Sequence, residues 1–137
     1  MKRILIAFLA LLMFLTFTAC NSVSEIEIDE SGDIVITPNG EISSISGSFT
    51  IKNNTDKEFC FGREFFIEVY KRGMWYHAYG PGDAPAEQCI LSAGETMTLP
   101  ENWSYGIKLV PGKYRFVKEI DGKHYAAEFE ITEFKLY

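Results

Sequence analysis

Ile45, Gly47, Phe49 and Ile51 fall on one face of an extended chain, while Ser44, Ser46, Ser48 and Thr50 fall on the other. That period of two predicts a half-buried antiparallel strand. The same alternation runs through residues 123–132, with Tyr125, Ala127, Phe129 and Ile131 on one face. Asp121-Gly122 just before it has the chemistry of a two-residue hairpin turn, so residues 113–120, opened by Pro111-Gly112, form its partner strand. Residues 58–71 read as one long strand bent near Gly62, with Phe65, Ile67 and Val69 facing one way, and Arg72-Gly73 turns it back into residues 74–79. Short strands over 88–91 and 95–99 flank Ser92-Ala93-Gly94, and residues 100–105 read as irregular. Nearer the start, residues 24–28 and 33–37 alternate around Glu30-Ser31-Gly32. Pro38-Asn39-Gly40, Asn53-Asn54-Thr55-Asp56 and residues 80–85 interrupt the pattern, and no helical period follows residue 20. About seven or eight short strands separated by turns predict an all-β antiparallel sandwich or barrel.

The first twenty residues have a different pattern. Lys2 and Arg3 precede an apolar run over residues 4–15, followed by small and hydroxylated residues, which is the layout of a secretory signal peptide. The apolar stretch is shorter than the ~20 residues a spanning helix needs. It closes on Phe17-Thr18-Ala19-Cys20. That ending resembles the lipobox of bacterial lipoproteins, with Phe17 where leucine is usual, which implies removal of residues 1–19 and a lipid on Cys20. Residues 20–32, polar and acidic, are expected to act as a tether, and residues 33–137 as one domain.

Cleavage there leaves 118 residues, enough for one core. The removed segment holds two of the thirteen Lys and Arg and none of the nineteen Asp and Glu, so the mature chain carries a net charge of −8. An acidic domain without a basic run offers nothing to replace counterions on a phosphate backbone, which excludes nucleic acid as a partner. Membrane attachment must then come from lipid rather than charge.

Several segments together resemble the bacterial immunoglobulin-like domains of small lipoproteins and surface proteins of Gram-positive bacteria. They are Phe49 with Thr50-Ile51-Lys52-Asn53-Asn54-Thr55-Asp56-Lys57-Glu58-Phe59, Phe66-Ile67-Glu68-Val69-Tyr70, Met74-Trp75-Tyr76, Leu91-Ser92-Ala93-Gly94-Glu95 and Leu109-Val110-Pro111-Gly112-Lys113-Tyr114-Arg115. The resemblance implies an immunoglobulin-like antiparallel β-sandwich used as a binding module or spacer, and it brings no catalytic residues. Within that pattern Trp75 is the expected core anchor, and Tyr114, two positions after Pro111-Gly112, resembles a tyrosine corner. The inter-sheet disulfide of antibody domains would need cysteines in the strand of Phe49 and after Tyr114, and the sequence has neither.

Cys60 and Cys89 remain once Cys20 is lipidated, and in an oxidising compartment they are read first as a disulfide, with two unpaired thiols as the alternative. His77 and His124 are the only histidines and lack the spacing of a metal site, so neither a metal nor another cofactor is expected. The Asn-x-Thr and Asn-x-Ser matches at Asn53 and Asn102 read as turns. Trp75, Tyr76, Tyr79, Trp103 and Tyr105 cluster in sequence around the loop of Pro81 and Asp83, with Trp75 and Tyr76 on opposite faces of their strand, and Tyr76, Tyr79, Asp83, Trp103 and Tyr105 are the candidate contacts for a ligand or partner. No phosphate loop, nucleophile elbow or H-E-x-x-H helix is present, so an enzyme is not expected. The leading expectation is a lipid-anchored extracytoplasmic domain that contacts an envelope protein or cell-wall component, or acts as a spacer. The alternative is a lipoprotein that captures a small solute, metal or hydrolase.

Overall fold

The computed structural model describes residues 22–81, 87–103 and 107–133. Among these, nine strands form: β1 (Ile34–Pro38), β2 (Ser46–Asn53), β3 (Phe59–Gly62), β4 (Phe66–Lys71), β5 (Met74–Tyr79), β6 (Gln88–Leu91), β7 (Thr96–Asn102), β8 (Gly112–Ile120) and β9 (Lys123–Ile131). They pair antiparallel into a sheet of order β1-β2-β7, a sheet of order β5-β4-β8-β9 and a ribbon β3-β6. The β8-β9 hairpin turns through Asp121 (φ 54°) and Gly122 (φ 73°), both left-handed, as the type I′ turn of a two-residue hairpin requires.

The inward faces of the two larger sheets interdigitate. Phe49 on β2 and Phe116 on β8 stack face to face across the gap, their ring centroids 4.0 Å apart and their planes 11° from parallel. Phe129 meets Phe49 edge-on at 5.8 Å, and Phe65 stacks on Phe116 at 5.2 Å, so the centre of the sandwich is a continuous aromatic cluster. Phe116 lies two positions after Tyr114, where the second cysteine of an antibody-type domain would lie. Stacked rings join the sheets where a covalent bond would otherwise do so. The Tyr114 hydroxyl donates to the carbonyl of Val110 at 2.6 Å, pinning the turn that leads into β8.

Three sequence expectations are corrected here. Residues 58–71 do not form one strand: β3 ends at Gly62, β4 begins at Phe66, and the two belong to different sheets. At the break the Glu64 carbonyl accepts a hydrogen bond from Lys118 Nζ at 2.8 Å, a side-chain substitute for the lost ladder partner. Strand β7 runs on through Pro100 to Asn102, tolerated because β7 lies at a sheet edge, where a missing N–H leaves no neighbour unpaired.

The core tryptophan is Trp103, not Trp75. Trp103 is fully buried, its backbone N–H donates to Ile45 O at 2.9 Å and its indole N–H to Ser44 O at 2.8 Å. Its ring packs so close to the backbone of β2 that a β-carbon at Gly47 would sit 3.1 Å from it. Strand alternation explains the exchange: Tyr76 faces the core, which turns Trp75 to the outer face. Trp103→Ala is expected to cost about 3–5 kcal/mol of stability. Trp75→Ala should cost about 1 kcal/mol. Urea unfolding of both variants checks the ranking, and the reverse order would contradict it.

Candidate functional site

The outer face of the β5-β4-β8-β9 sheet carries the least ordinary chemistry in the molecule. Residues 22–29, expected to be a free tether, lie across it as a strap. At one end Val23 pairs antiparallel with Tyr76, Ser24 N–H donates to Trp75 O at 2.9 Å and His77 N–H to Ser22 O at 3.1 Å. At the other end Ile28 pairs with His124, and Asp29 N–H donates to His124 O at 2.7 Å. The strap therefore spans the sheet from β5 to β9, the outermost strands on either side. Its alternation is the reason it lies flat: Ser24, Ile26 and Ile28 are half-buried against the sheet, whereas Glu25 and Glu27 face solvent. The Asp29 carboxylate accepts from Ser31 N–H at 2.8 Å and pairs with Lys123 Nζ at 2.9 Å. These contacts with Ser31 first, then Lys123, hold its pKa down to about 2.

Beneath the strap, Glu68 on β4 is completely buried and receives a short charge-assisted hydrogen bond from Arg115 Nε. Arg115 also reaches Ile26 O at 3.5 Å and lies 4.5 Å over the Trp75 ring. Glu68 Oε1 has no hydrogen-bond partner among the described residues. A buried carboxylate held on one side only depends on its guanidinium, because removing one member of such a pair leaves an uncompensated charge.

Beyond the strap, towards the β4–β5 turn, the face opens to solvent. Tyr70 (40% exposed) lies beside Trp75, the two rings 5.0 Å apart. Lys113 Nζ sits 5.0 Å over Tyr70 and 5.8 Å from the Trp75 ring, and it also pairs with Glu128 at 3.1 Å. Aromatic and cationic groups in one open patch have the composition of a protein-interaction surface.

The sequence placed its contact candidates elsewhere. Trp103 is corrected to the core, since full burial removes it from any partner. Tyr76 and Tyr79 are half-buried against the core, Tyr79 packing 5.5 Å from Phe65. Cys20, Asp83 and Tyr105 lie outside the described residues. Tyr70 and Lys113 were missed, although the Arg72-Gly73 turn between two alternating strands already marked that hairpin as an exposed tip.

The expected disulfide is also corrected. Cys60 pairs with Ile90 and Cys89 with Phe61, one step out of register, so their side chains point to opposite faces of the β3-β6 ribbon. Cys60 is exposed, Cys89 packs against the core, and both thiols are free. His77 and His124 flank the Phe66 ring at 5.9 and 6.3 Å instead of converging. Among the described residues no three His, Cys, Asp or Glu side chains gather to hold a metal. Asn53 is fully buried: its amide donates to Lys57 O at 2.7 Å, Ser92 O at 3.0 Å and Leu91 O at 3.3 Å, tying β2 to the end of β6.

A second charged cluster lies at the other side of the sheet, on its core face. Lys118 is fully buried, with Nζ 5.4 Å from the Phe61 ring. Burial pushes its pKa down to about 8, against the opposing pull of Glu101, Cys89 and Glu64. Burial raises the pKa of Glu101, although Arg63 Nη2 lies 3.5 Å away. That pair attracts by charge without hydrogen-bond alignment, which leaves Glu101 Oε1 unsatisfied. Enclosed in this way, the amine meets the Glu64 carbonyl and the Phe61 ring.

Two packed antiparallel sheets with a tyrosine tie at the start of β8 define an immunoglobulin-like β-sandwich, with nine strands among the described residues where about seven or eight were expected. The chain belongs to the bacterial Ig-like domain family, whose model matches residues 30–130. The strap precedes the matched region. No curated protein matches the chain.

The Lys118 environment predicts a pH profile. Its folded-state pKa lies near 8, below the ordinary 10.5, so between these values the unfolded chain binds more protons and stability rises with pH. Urea titrations should show a gain of roughly 2 kcal/mol from pH 8 to about 10. Tyr114 and Tyr125, both raised by burial, oppose this gain only at its upper end, where the unfolded chain begins to lose their protons. Lys118→Met should abolish the gain, and a flat wild-type profile would contradict the burial of a charged amine.

Proposed function

We propose that the chain is a lipoprotein precursor, cleaved after residue 19 and lipidated on Cys20. Its immunoglobulin-like domain then stands at the extracytoplasmic face of the membrane as a non-enzymatic interaction or spacer domain. The cationic and apolar leader ending at Cys20 supports the anchor. Family membership supports the module.

The observation that carries an interaction role is the open patch of Tyr70, Trp75 and Lys113. Large aromatic side chains that keep their rings at the surface, stiffened by a cation above them, lose little entropy on binding. The partner is an envelope protein or a cell-wall component.

Intact mass spectrometry of the protein from native membranes tests the anchor. The expected mass is that of residues 20–137 with a diacylglyceryl group, with Cys60 and Cys89 both alkylated on unfolding without reductant. A mature chain without lipid would overturn the anchor. Thiols that alkylate only after reduction would contradict the free cysteines.

A further inference from the structure

The docked strap fixes more than its own position. We propose that it holds the domain against the bilayer in one orientation, with the end bearing the Asp121-Gly122 turn towards the headgroups and the Arg72-Gly73 turn outward. The proposal rests on lipidation of Cys20. Ser22 is bonded to His77, and Ser24 to Trp75, so going backward from Ser24 to Ser22 the chain runs along β5 towards Tyr79 and Gly80. Cys20 lies two residues before Ser22, a separation of at most about 7 Å along the backbone. A free tether from residue 20 to residue 33 would reach ~45 Å when extended and about 20 Å on average. Docking therefore removes most of the leash.

The direction of the strands sets which end is near. β5 and β8 both run towards the Asp121-Gly122 end, because each is antiparallel to β4. That end carries Glu119, Asp121 and Lys123, and Glu64 lies just before β4. Three carboxylates and one amine give no attraction to an anionic surface, so the lipid and the strap, not charge, hold it there. The patch of Tyr70, Trp75 and Lys113 occupies the opposite end. From Lys113 to Glu119 is six residues along β8, roughly 20 Å of rise. The anchor thus presents the interaction patch away from the membrane.

The test places one fluorophore near each end of the full lipidated protein, with Cys60→Ser and Cys89→Ala removing the other thiols. Lys71→Cys labels the outward turn and Glu119→Cys the inward one. Energy transfer to a headgroup-labelled acceptor lipid is measured in phosphatidylcholine vesicles. Several-fold stronger transfer from position 119 than from position 71 is expected. The double substitution Ile26→Asp and Ile28→Asp, which puts charge under the strap, should lower transfer from position 119 and shrink the difference. Equal transfer from both positions with an intact strap would overturn the orientation. Retention of the full difference after strap release, shown by fast amide exchange in residues 22–29, would overturn the strap as its cause. Failure to bind vesicles would overturn the lipid reading, and the orientation with it.

Discussion

Everything else in this sandwich depends on the stack of Phe49 on Phe116. Two sheets that share no hydrogen bonds can hold their separation only through what fills the gap, and here the two rings meet at van der Waals contact across it. Phe65, Phe129 and Trp103 close around that pair, with Trp103 6.5 Å from Phe65 and 6.3 Å from Phe129. A cross-link would constrain the unfolded chain as well as the folded one. Stacked rings act on the folded state alone, so the sheets are joined by packing that must be formed completely to count.

Polar groups specify what this packing leaves loose. Asn53 connects the end of β2 to the turn after β6, and the Tyr114 hydroxyl fixes the approach to β8. Glu68 with Arg115 on the outer face, and Lys118 with Glu101 on the inner one, are more expensive. Burying such groups costs stability unless their partners are well placed, and each cluster retains one unsatisfied carboxylate oxygen. On the outer face the strap reaches this pair through Ile26 O, which accepts from Arg115, and that contact makes residues 22–29 a working part of the domain. The family match begins at residue 30, and the strap adds to that shared sandwich a cover over its exposed sheet.

Much of the fold was legible in the sequence because period-two alternation and turn chemistry report local geometry. The β8-β9 hairpin, β2 and β5 follow from them, as does the opposition of Trp75 and Tyr76. Which of those two rings faces inward is not a local property: it depends on the register of β5 against β4, and the weight given to tryptophan as an anchor pointed the wrong way. Register also decided the cysteines, since one step between Cys60 and Cys89 turns a plausible bridge into two thiols on opposite faces. The break at residues 63–65 was hidden because Lys118, more than fifty residues away, supplies the missing hydrogen bond. The strap was misread for a related reason. Its glutamates suggested solvent on all sides, while its alternation, visible in Ser24, Ile26 and Ile28, was the better guide.

Hydrogen exchange on the mature protein tests most directly that the strap belongs to the folded domain. The amides of Ser24 and Asp29, which donate to Trp75 and His124, and that of His77, which donates to Ser22, should exchange far more slowly than in an unstructured peptide. Strap amides that exchange at peptide rates while β8 and β9 stay protected would contradict the account and return residues 22–29 to a free tether.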